Sequence, residues 1–434
     1  MGARLLIERV ALLEDIARDA GTPVYIYDAG HVRTQYRALI RALSAVPHRV
    51  FYSVKANGNL GVLSVLHELG AGADVVSIGE FVRARRVGFR AADVIFSGVG
   101  KRLDELRRTV RDGIGLINVE SAEELGHLAD IAAALKLPVR IGIRVNPDVK
   151  TKAHPYTQTG EADKKFGVPL PQVLDLVRRA LAIPFLRLES IGMHLGSQIC
   201  DPQAYVTAGS RIVDLVAKVR SLGVETLRAV DVGGGLGICY TDESALEPEA
   251  FAAAVTPLAR ETGLTLFVEP GRYLVGNAGV LLARCLYRKK ALGKAFVVLD
   301  AAMNDLLRPS LYGAEHHIQV VGADRASPAE GRERVDIVGP VCETGDFLGR
   351  DRYLPAAQPG ALLAISGVGA YGFSMSSTYN SRPRAAEVVI DGERWAVARR
   401  RESLEDLMVG ERTLDEIEAA DAWRDTAAAE FETP

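Results

Sequence analysis

Short runs of β-branched and aromatic residues alternate along the chain with stretches whose apolar positions recur every three or four residues, and the alternation can be counted. "VFYSVKAN" precedes "LGVLSVLHEL", where Leu60, Leu63, Leu66 and Leu69 fall at helical spacing. "ADVVS" precedes "GEFVRARRVG", "DVIFSG" precedes "KRLDELRRTVRDG", and "LINVES" precedes "AEELGHLADIAAAL". In the last of these, Ser121 and Glu124 have the spacing of a capping box. "VRIGIRVNP", "LESIGMHLGS" and "LRAVDVGGG" each lead to a further helical stretch, and "LTLFVEPG" is the eighth strand of the series. Eight consecutive strand–helix units predict a closed parallel (β/α)8 TIM barrel, because near-continuous apolar strands need cover on both faces and eight is the number that closes. The barrel is expected over residues 30–282.

Outside that range the pattern changes. "TPVYIYD" reads as a strand before the barrel. After it "AFVVLDA", "RVDIVGPVC", "ALLAISGVGAYG" and "AAEVVIDGERWAVARR" read as antiparallel strands, with a hairpin turn at Asp391-Gly392. A second, C-terminal β-rich domain that includes the N-terminal strand is therefore expected, made of residues 1–29 plus 283–434, and its charged tail after Glu402 reads as a short helix with a frayed end.

Composition narrows the function classes. Lys and Arg total 52 against 55 Asp and Glu, a net charge of −3, which gives no reason to expect nucleic acid or an anionic membrane as a partner. Small-molecule chemistry is favoured. Cys200, Cys239, Cys285 and Cys342 stand far apart without a CxxC pair, which suggests neither a disulfide framework nor a zinc ribbon, and fits a reducing compartment. "MGARLLIERV" lacks the apolar core of a signal peptide, no apolar run is long enough to span a bilayer, and Gly2 lacks the hydroxyl residue of a myristoylation site. The reading is a soluble, cytoplasmic protein.

The C-terminal ends of barrel strands form the active-site face, so polar residues there carry the chemistry. Strand one ends in Lys55, strand two has Asp74, strand five gives Arg144 and Asn146, and strand six gives His194 and Ser197. Strand seven runs into "GGGLG" (Gly233 to Gly237) and strand eight into "EPGR" (Glu269 to Arg272). Taken singly, each has a bland reading: a snorkelling lysine, a satisfied core histidine, a flexible turn, a surface ion pair. A lysine set in an apolar strand has a lowered proton affinity and attacks carbonyls. Side-chain-free amides accept a phosphate. Gathered at one barrel mouth, these groups describe a pyridoxal 5'-phosphate site, with Lys55 on the aldehyde, Gly235 and the Glu269-to-Arg272 turn on the phosphate, and a carboxylate on the ring nitrogen. "EHH", Glu315 to His317, suggests a metal only superficially, since adjacent histidines point apart and no HExxH spacing is present; no metal is assigned.

The motifs "FYSVKAN", "HLGSQ", "GGGLG", "EPGR", "CETGDFLGRD" and "GAYGFSMSSTYNSRPR", in order from about residue 20 to 390, resemble the alanine-racemase-type barrel decarboxylases that use pyridoxal phosphate (fold type III). "KFGV", "NDLLRPSLYGAEHH" and "CETGD" are most similar to the branch that decarboxylates meso-2,6-diaminopimelate to L-lysine, the last step of lysine biosynthesis. The resemblance implies Lys55 as the Schiff-base lysine, His194 stacked on the ring, and Glu269 on the pyridine nitrogen. It also implies Asp74, Ser197, Gly235, Pro270, Gly271, Arg272, Tyr371 and Tyr379 as further cofactor contacts. Arg272, Arg308, Tyr312, Glu343 and Tyr371 fall on substrate-binding positions, and Cys342 on the proton donor, which reaches the partner's site in a homodimer with shared active sites. Thr344 and Tyr273 depart from the usual pattern without removing a functional group. The alternatives on this fold are decarboxylases of ornithine, arginine, D-ornithine or carboxynorspermidine, whose substrates lack a distal zwitterion for Arg308 and Glu343; a racemase; and a non-enzymatic pyridoxal phosphate carrier.

Overall fold

The computed structural model describes residues 6–151, 154–161, 163–241, 244–323 and 331–419. Its first strand, β1 (Val24–Asp28), is wholly apolar but for its last residue, where the Asp28 carboxylate accepts the His31 amide at 3.1 Å and starts the helix Ala29–Leu43. Strands β2 (His48–Ser53), β3 (Gly72–Val75), β4 (Val94–Phe96), β5 (Leu116–Val119) and β6 (Val139–Asn146) follow, then a two-residue edge pairing β7 (Val168–Pro169), β8 (Leu186–Met193), β9 (Ala229–Asp231) and β10 (Thr265–Val268). All pair in parallel, β10 pairs with β2 and β5 with β6, so eight of them close a barrel and β7 stands outside the ring. Their burial is nearly continuous, as strands covered by helices on one face and packed inside on the other require. The helix Leu60–Glu68 buries Val62, Leu63, Val65 and Leu66, while Leu60 at its start is exposed. Ser121 caps the helix Ala122–Leu135 by accepting the Glu124 amide at 3.1 Å. The expected reciprocal bond is shifted by one residue, because Glu124 accepts from the Glu120 amide at 2.9 Å and pairs with the buried Lys101 at 2.6 Å.

The second sheet is built from β1, β11 (Gly279–Ala291), β12 (Lys294–Leu299), β13 (Ile318–Val320), β14 (Arg332–Val338), β15 (Phe347–Pro355), β16 (Leu362–Ser366), β17 (Ala386–Asp391) and β18 (Arg394–Arg399). The expectation of an antiparallel sheet needs correction. β12 pairs with β14 in parallel and so does β1 with β17, which makes the sheet mixed. The N-terminal strand is inserted between β11 and β17. The β17–β18 hairpin turns through Gly392 and Glu393, with Gly392 at φ +64° and Asp391 paired to Arg394. The tail carries a 3-10 turn at Glu405–Met408 and a helix at Leu414–Ala419, and residues 420–434 lie outside the described residues. A core of barrel strands and helices continues into β11, β12 and β16, while a smaller cluster packs Leu13, Ile16 and Val24 against Val280, Leu282 and Val388.

Candidate active site

β2 stops at Ser53 and the chain makes one 3-10 turn, Val54–Ala56, which swings Lys55 into the barrel mouth rather than along the strand. The turn is fixed from both sides. The Tyr52 hydroxyl donates to the Asn57 carbonyl at 2.9 Å, the Asn57 side chain accepts the Asn59 amide at 2.9 Å, and the Ala56 carbonyl accepts the Tyr371 amide at 2.8 Å. The Lys55 Nζ then lies 3.1 Å from Asp74 Oδ2, an oxygen that also accepts the Ser53 hydroxyl at 2.8 Å. Asp74 stands beside Ser53 in the β2–β3 register, so the pair is a product of strand pairing. Here an expectation fails: burial alone lowers the proton affinity of Lys55, but the charges of Asp74, Tyr371 and Glu269 outweigh it, and the ammonium is held above its ordinary range.

Lys55, Asp231, Glu269, His194, Arg144 and Asn118 line a cavity of about 290 Å³. Burial, then Asp231 and Asp74, push the Glu269 carboxyl well above its usual range, and burial raises Asp231 to about 6 against the Gly233 amide that it accepts at 2.8 Å. Asp74 Oδ1 is buried without a partner among the described residues, while the Asp231 and Glu269 carboxyl groups lie close enough to share a proton. Arg144 in this lining is engaged by Glu120 at 3.0 Å, so the crowded carboxyl groups of Asp74, Asp231 and Glu269 suit a further cationic N–H donor, and a protonated pyridine nitrogen is such a group. His194 is kept neutral by burial, with Arg144 and Lys55 acting in the same direction. Its Nδ1 accepts the Gly234 amide at 3.1 Å, which leaves the proton on Nε2.

The glycine turn is dictated by space. A side chain at Gly234 would put its Cβ 2.1 Å from the Glu269 carbonyl oxygen, and one at Gly235, whose φ is +101°, would meet the Gly196 carbonyl at 2.6 Å. The amides of Gly233, Gly234 and Gly237 are taken by Asp231, His194 and Ile199, whereas those of Gly235 and Leu236 have no acceptor among the described residues. Such a pair of bare amides suits a phosphate. In the facing turn Pro270 has no N–H to offer; its carbonyl accepts the Ser53 amide at 3.2 Å, and Gly271 lets the turn close on Ala56, where a Cβ would stand 3.0 Å away. The residues present fit pyridoxal phosphate.

A second cavity of about 410 Å³ has Arg272, Arg308, Tyr312 and Tyr240 in its lining. Both guanidinium groups are buried, and neither forms an ion pair with a carboxylate among the described residues. Arg272 donates to the hydroxyls of Tyr240 and, at 3.0 Å, Ser197, and its Cζ lies 4.8 Å from the centre of the Tyr371 ring. Arg308 stands 4.5 Å over the Tyr240 ring and donates to His316 Nε2 at 2.9 Å.

The structure thus brings Lys55, His194 and Glu269 to one cavity, with Asp74 bonded to Lys55 behind its wall, and gathers Arg272, Arg308 and Tyr312 at the other, with Ser197 and Tyr371 against Arg272. Cys342, Glu343 and Tyr379 stand apart. The Tyr379 hydroxyl donates to Glu343 at 3.0 Å, the Cys342 amide donates to Asn380 at 3.0 Å, and this exposed cluster lines neither cavity within one chain. Asn146 ties down a loop by donating to the Glu161 carbonyl at 2.6 Å. Sequence reasoning missed Asp231, Asn118, Tyr240 and His316. Asp231 closes strand seven in "AVDVGGG" and was open to the same rule that found Asp74. No three His, Cys, Asp or Glu side chains group to hold a metal ion, and no helix is long and apolar enough to cross a membrane, among the described residues.

A lysine, a carboxylate for a ring nitrogen and bare amides at the mouth of a (β/α)8 barrel define a pyridoxal phosphate-dependent enzyme, and the family profile "Pyridoxal-dependent decarboxylase, pyridoxal binding domain" matches residues 29–276. Diaminopimelate decarboxylase of Pseudomonas aeruginosa is 45% identical over 412 residues, covering 95% of this chain and 98% of the relative. The crystal structure of the Helicobacter pylori diaminopimelate decarboxylase complexed with L-lysine is 39% identical, with a TM-score of 0.87 over 91% of this chain and 98% of that one. The diaminopimelate decarboxylase of M. jannaschii in complex with L-lysine is 32% identical, with a TM-score of 0.87 over 93% and 95%. The chain belongs to the pyridoxal-dependent decarboxylases, in their diaminopimelate decarboxylase branch.

Proposed function

We propose that this protein decarboxylates meso-2,6-diaminopimelate to L-lysine and carbon dioxide, the last step of lysine biosynthesis. The observation that carries the reading is the Arg308 guanidinium, buried in the second cavity and paired with no carboxylate among the described residues. A buried cation whose described partners are neutral is suited to a substrate carboxylate far from the reacting carbon. Substrates whose far end is a bare amine offer it nothing. Pyridoxal phosphate, when bound, supplies the electron sink that lets an α-carboxylate leave as carbon dioxide.

The chain's own groups do the rest. Lys55 would hold the cofactor's aldehyde, with Asp74 beside its Nζ to keep the amine placed. His194, neutral, would offer a flat face for the ring, Glu269 would answer the ring nitrogen, and Gly235, Gly271, Arg272 and Ser197 would hold the phosphate. Arg308 with Tyr312 takes the distal carboxylate and Glu343 the distal ammonium. The Cys342 thiol returns a proton to the α-carbon once the C–C bond to the carboxylate has broken.

Because Cys342, Glu343 and Tyr379 are exposed on one chain yet needed at a site, the proposal includes a homodimer in which each protomer lends this cluster to its neighbour's barrel. All four cysteines are free thiols, which supports a reducing, cytoplasmic setting. The test is carbon dioxide release from meso-diaminopimelate beside ornithine, arginine and L-lysine; preference for any of the last three overturns the substrate. Mixing Lys55→Ala with Cys342→Ala protomers tests the sharing, and recovery of about a quarter of the parental activity is expected from the heterodimers.

A further inference from the structure

The histidine of "EHH" that faces inward has no part in the chemistry above, yet it is fully buried and bonded to a substrate-binding arginine. We propose that His316 is a positioning residue for the substrate's distal carboxylate: it fixes the Arg308 guanidinium through a neutral acceptor, so that the full positive charge of Arg308 remains for the substrate. The inference rests on the substrate reading above and deepens it.

Hydrogen bonds settle which ring nitrogen is bare. His316 Nδ1 lies 2.9 Å from the Ser366 carbonyl oxygen, which can only accept, so Nδ1 carries the proton. Nε2 is then an unprotonated acceptor, and the Arg308 N–H donates to it at 2.9 Å. The imidazole is placed by strand pairing: Ile318 stands opposite Ile365 in β13–β16, and the Ser366 amide donates to the His317 carbonyl at 2.9 Å. Its ring meets Tyr240 edge to face, 5.1 Å between centres, and Tyr240 carries Arg308 on its face and Arg272 at its hydroxyl. Arg308, His316, Tyr240 and Arg272 form one locked group.

The usual partner of a buried arginine is a carboxylate, which would orient the guanidinium equally well and cancel its charge. A neutral imidazole orients without cancelling. Burial, with the charges of Arg308 and Arg272, pushes His316 down to about 3, so the acceptor persists across the physiological range. Arg308 still has Nε and further N–H groups for a substrate, because His316 occupies only one.

The test compares three variants of the holoenzyme. His316→Leu removes the acceptor, His316→Gln keeps a neutral acceptor of similar reach, and His316→Glu keeps that shape but adds a negative charge. For His316→Leu the KM for meso-diaminopimelate is expected to rise roughly 10- to 100-fold with kcat changed less than about threefold. His316→Gln should recover KM to within about threefold of the parent, and His316→Glu should not, although it can still accept from Arg308. The cofactor absorption band should stay unchanged in all three. Calorimetric binding of L-lysine, which retains the distal amino-acid group, should follow the same order, and binding of cadaverine, which has no carboxylate, should not move. Equal KM for the Gln and Glu variants, or an unshifted KM in the Leu variant, overturns the assignment of His316. Should the Leu variant not fold, the Gln and Glu pair decides alone. A parent that does not release carbon dioxide from meso-diaminopimelate overturns the substrate reading first, which is a separate outcome.

Discussion

The two cavities differ in the groups that line them. The first gathers the carboxyl groups of Asp231 and Glu269, with Asp74 behind Lys55, and its Arg144 is paired with Glu120; in the second Arg272 and Arg308 are two buried guanidinium groups with hydroxyls, an imidazole and aromatic faces for company, and Glu315 of its lining pairs with Arg352. A chain selected for stability alone would bring these sets together as ion pairs or replace them with apolar groups. Their separation is a recognition device. On the function proposed above, the first cavity would favour a protonated ring nitrogen and the second a carboxylate.

The sharpest way to break the contrast is at the ammonium. Lys55→Ala should lower decarboxylation by about 10³-fold or more, and the absorption band that arises when pyridoxal phosphate bonds to an amine of the protein should be missing after reconstitution. Persistence of that band places the attachment elsewhere. Next comes the acid side. Glu269→Gln keeps the shape and removes the carboxylate, so kcat should fall by about 10²-fold while the cofactor still binds; an unchanged kcat means that the ring nitrogen does not lean on Glu269. On the basic side, Arg308→Met should raise KM for meso-diaminopimelate roughly 10- to 100-fold with the cofactor spectrum intact. A loss of cofactor in that variant would merge the two cavities into one function.

How much of this was legible in the sequence follows from the range of the interactions. The barrel was, because each strand announces itself locally by β-branched content and each ends in a polar or glycine residue. The parallel pairing of β12 with β14 was not, since it depends on a connection that carries the chain past β13 before β14 begins. Lys55 could be singled out from its own neighbours, but its protonation could not: Asp74 reaches it only through the β2–β3 register, and that carboxylate reverses the effect of burial. Arg308 was found through its motif, and His316 was set aside as half of a doubtful metal pair because its partner, the Ser366 carbonyl, lies 50 residues away. The separation of the charge sets is a tertiary property that no local pattern encodes.

The smallest effect tests the acid side through stability. Burial raises Asp231 to about 6, against about 3.9 for an aspartate in an unfolded chain, so the folded protein binds that proton more tightly. Stabilisation of this kind is complete below about pH 4 and is lost as pH rises through 6. Asparagine in its place keeps an oxygen for the Gly233 amide and does not titrate. In cofactor-free protein, Asp231→Asn should therefore gain on the parent between pH 4.5 and 7.5 by on the order of 2 kcal/mol, or a few degrees in Tm. Glu269, also raised, shares this titration, while His194 and His316 shift the other way but are present in both proteins and drop out of the difference. A gap in Tm that does not change with pH would show that Asp231 stays ionised and that the first cavity is less acidic in character than the contrast requires. Adding pyridoxal phosphate should shrink the gap, because a protonated ring nitrogen beside these carboxylates favours their ionised forms.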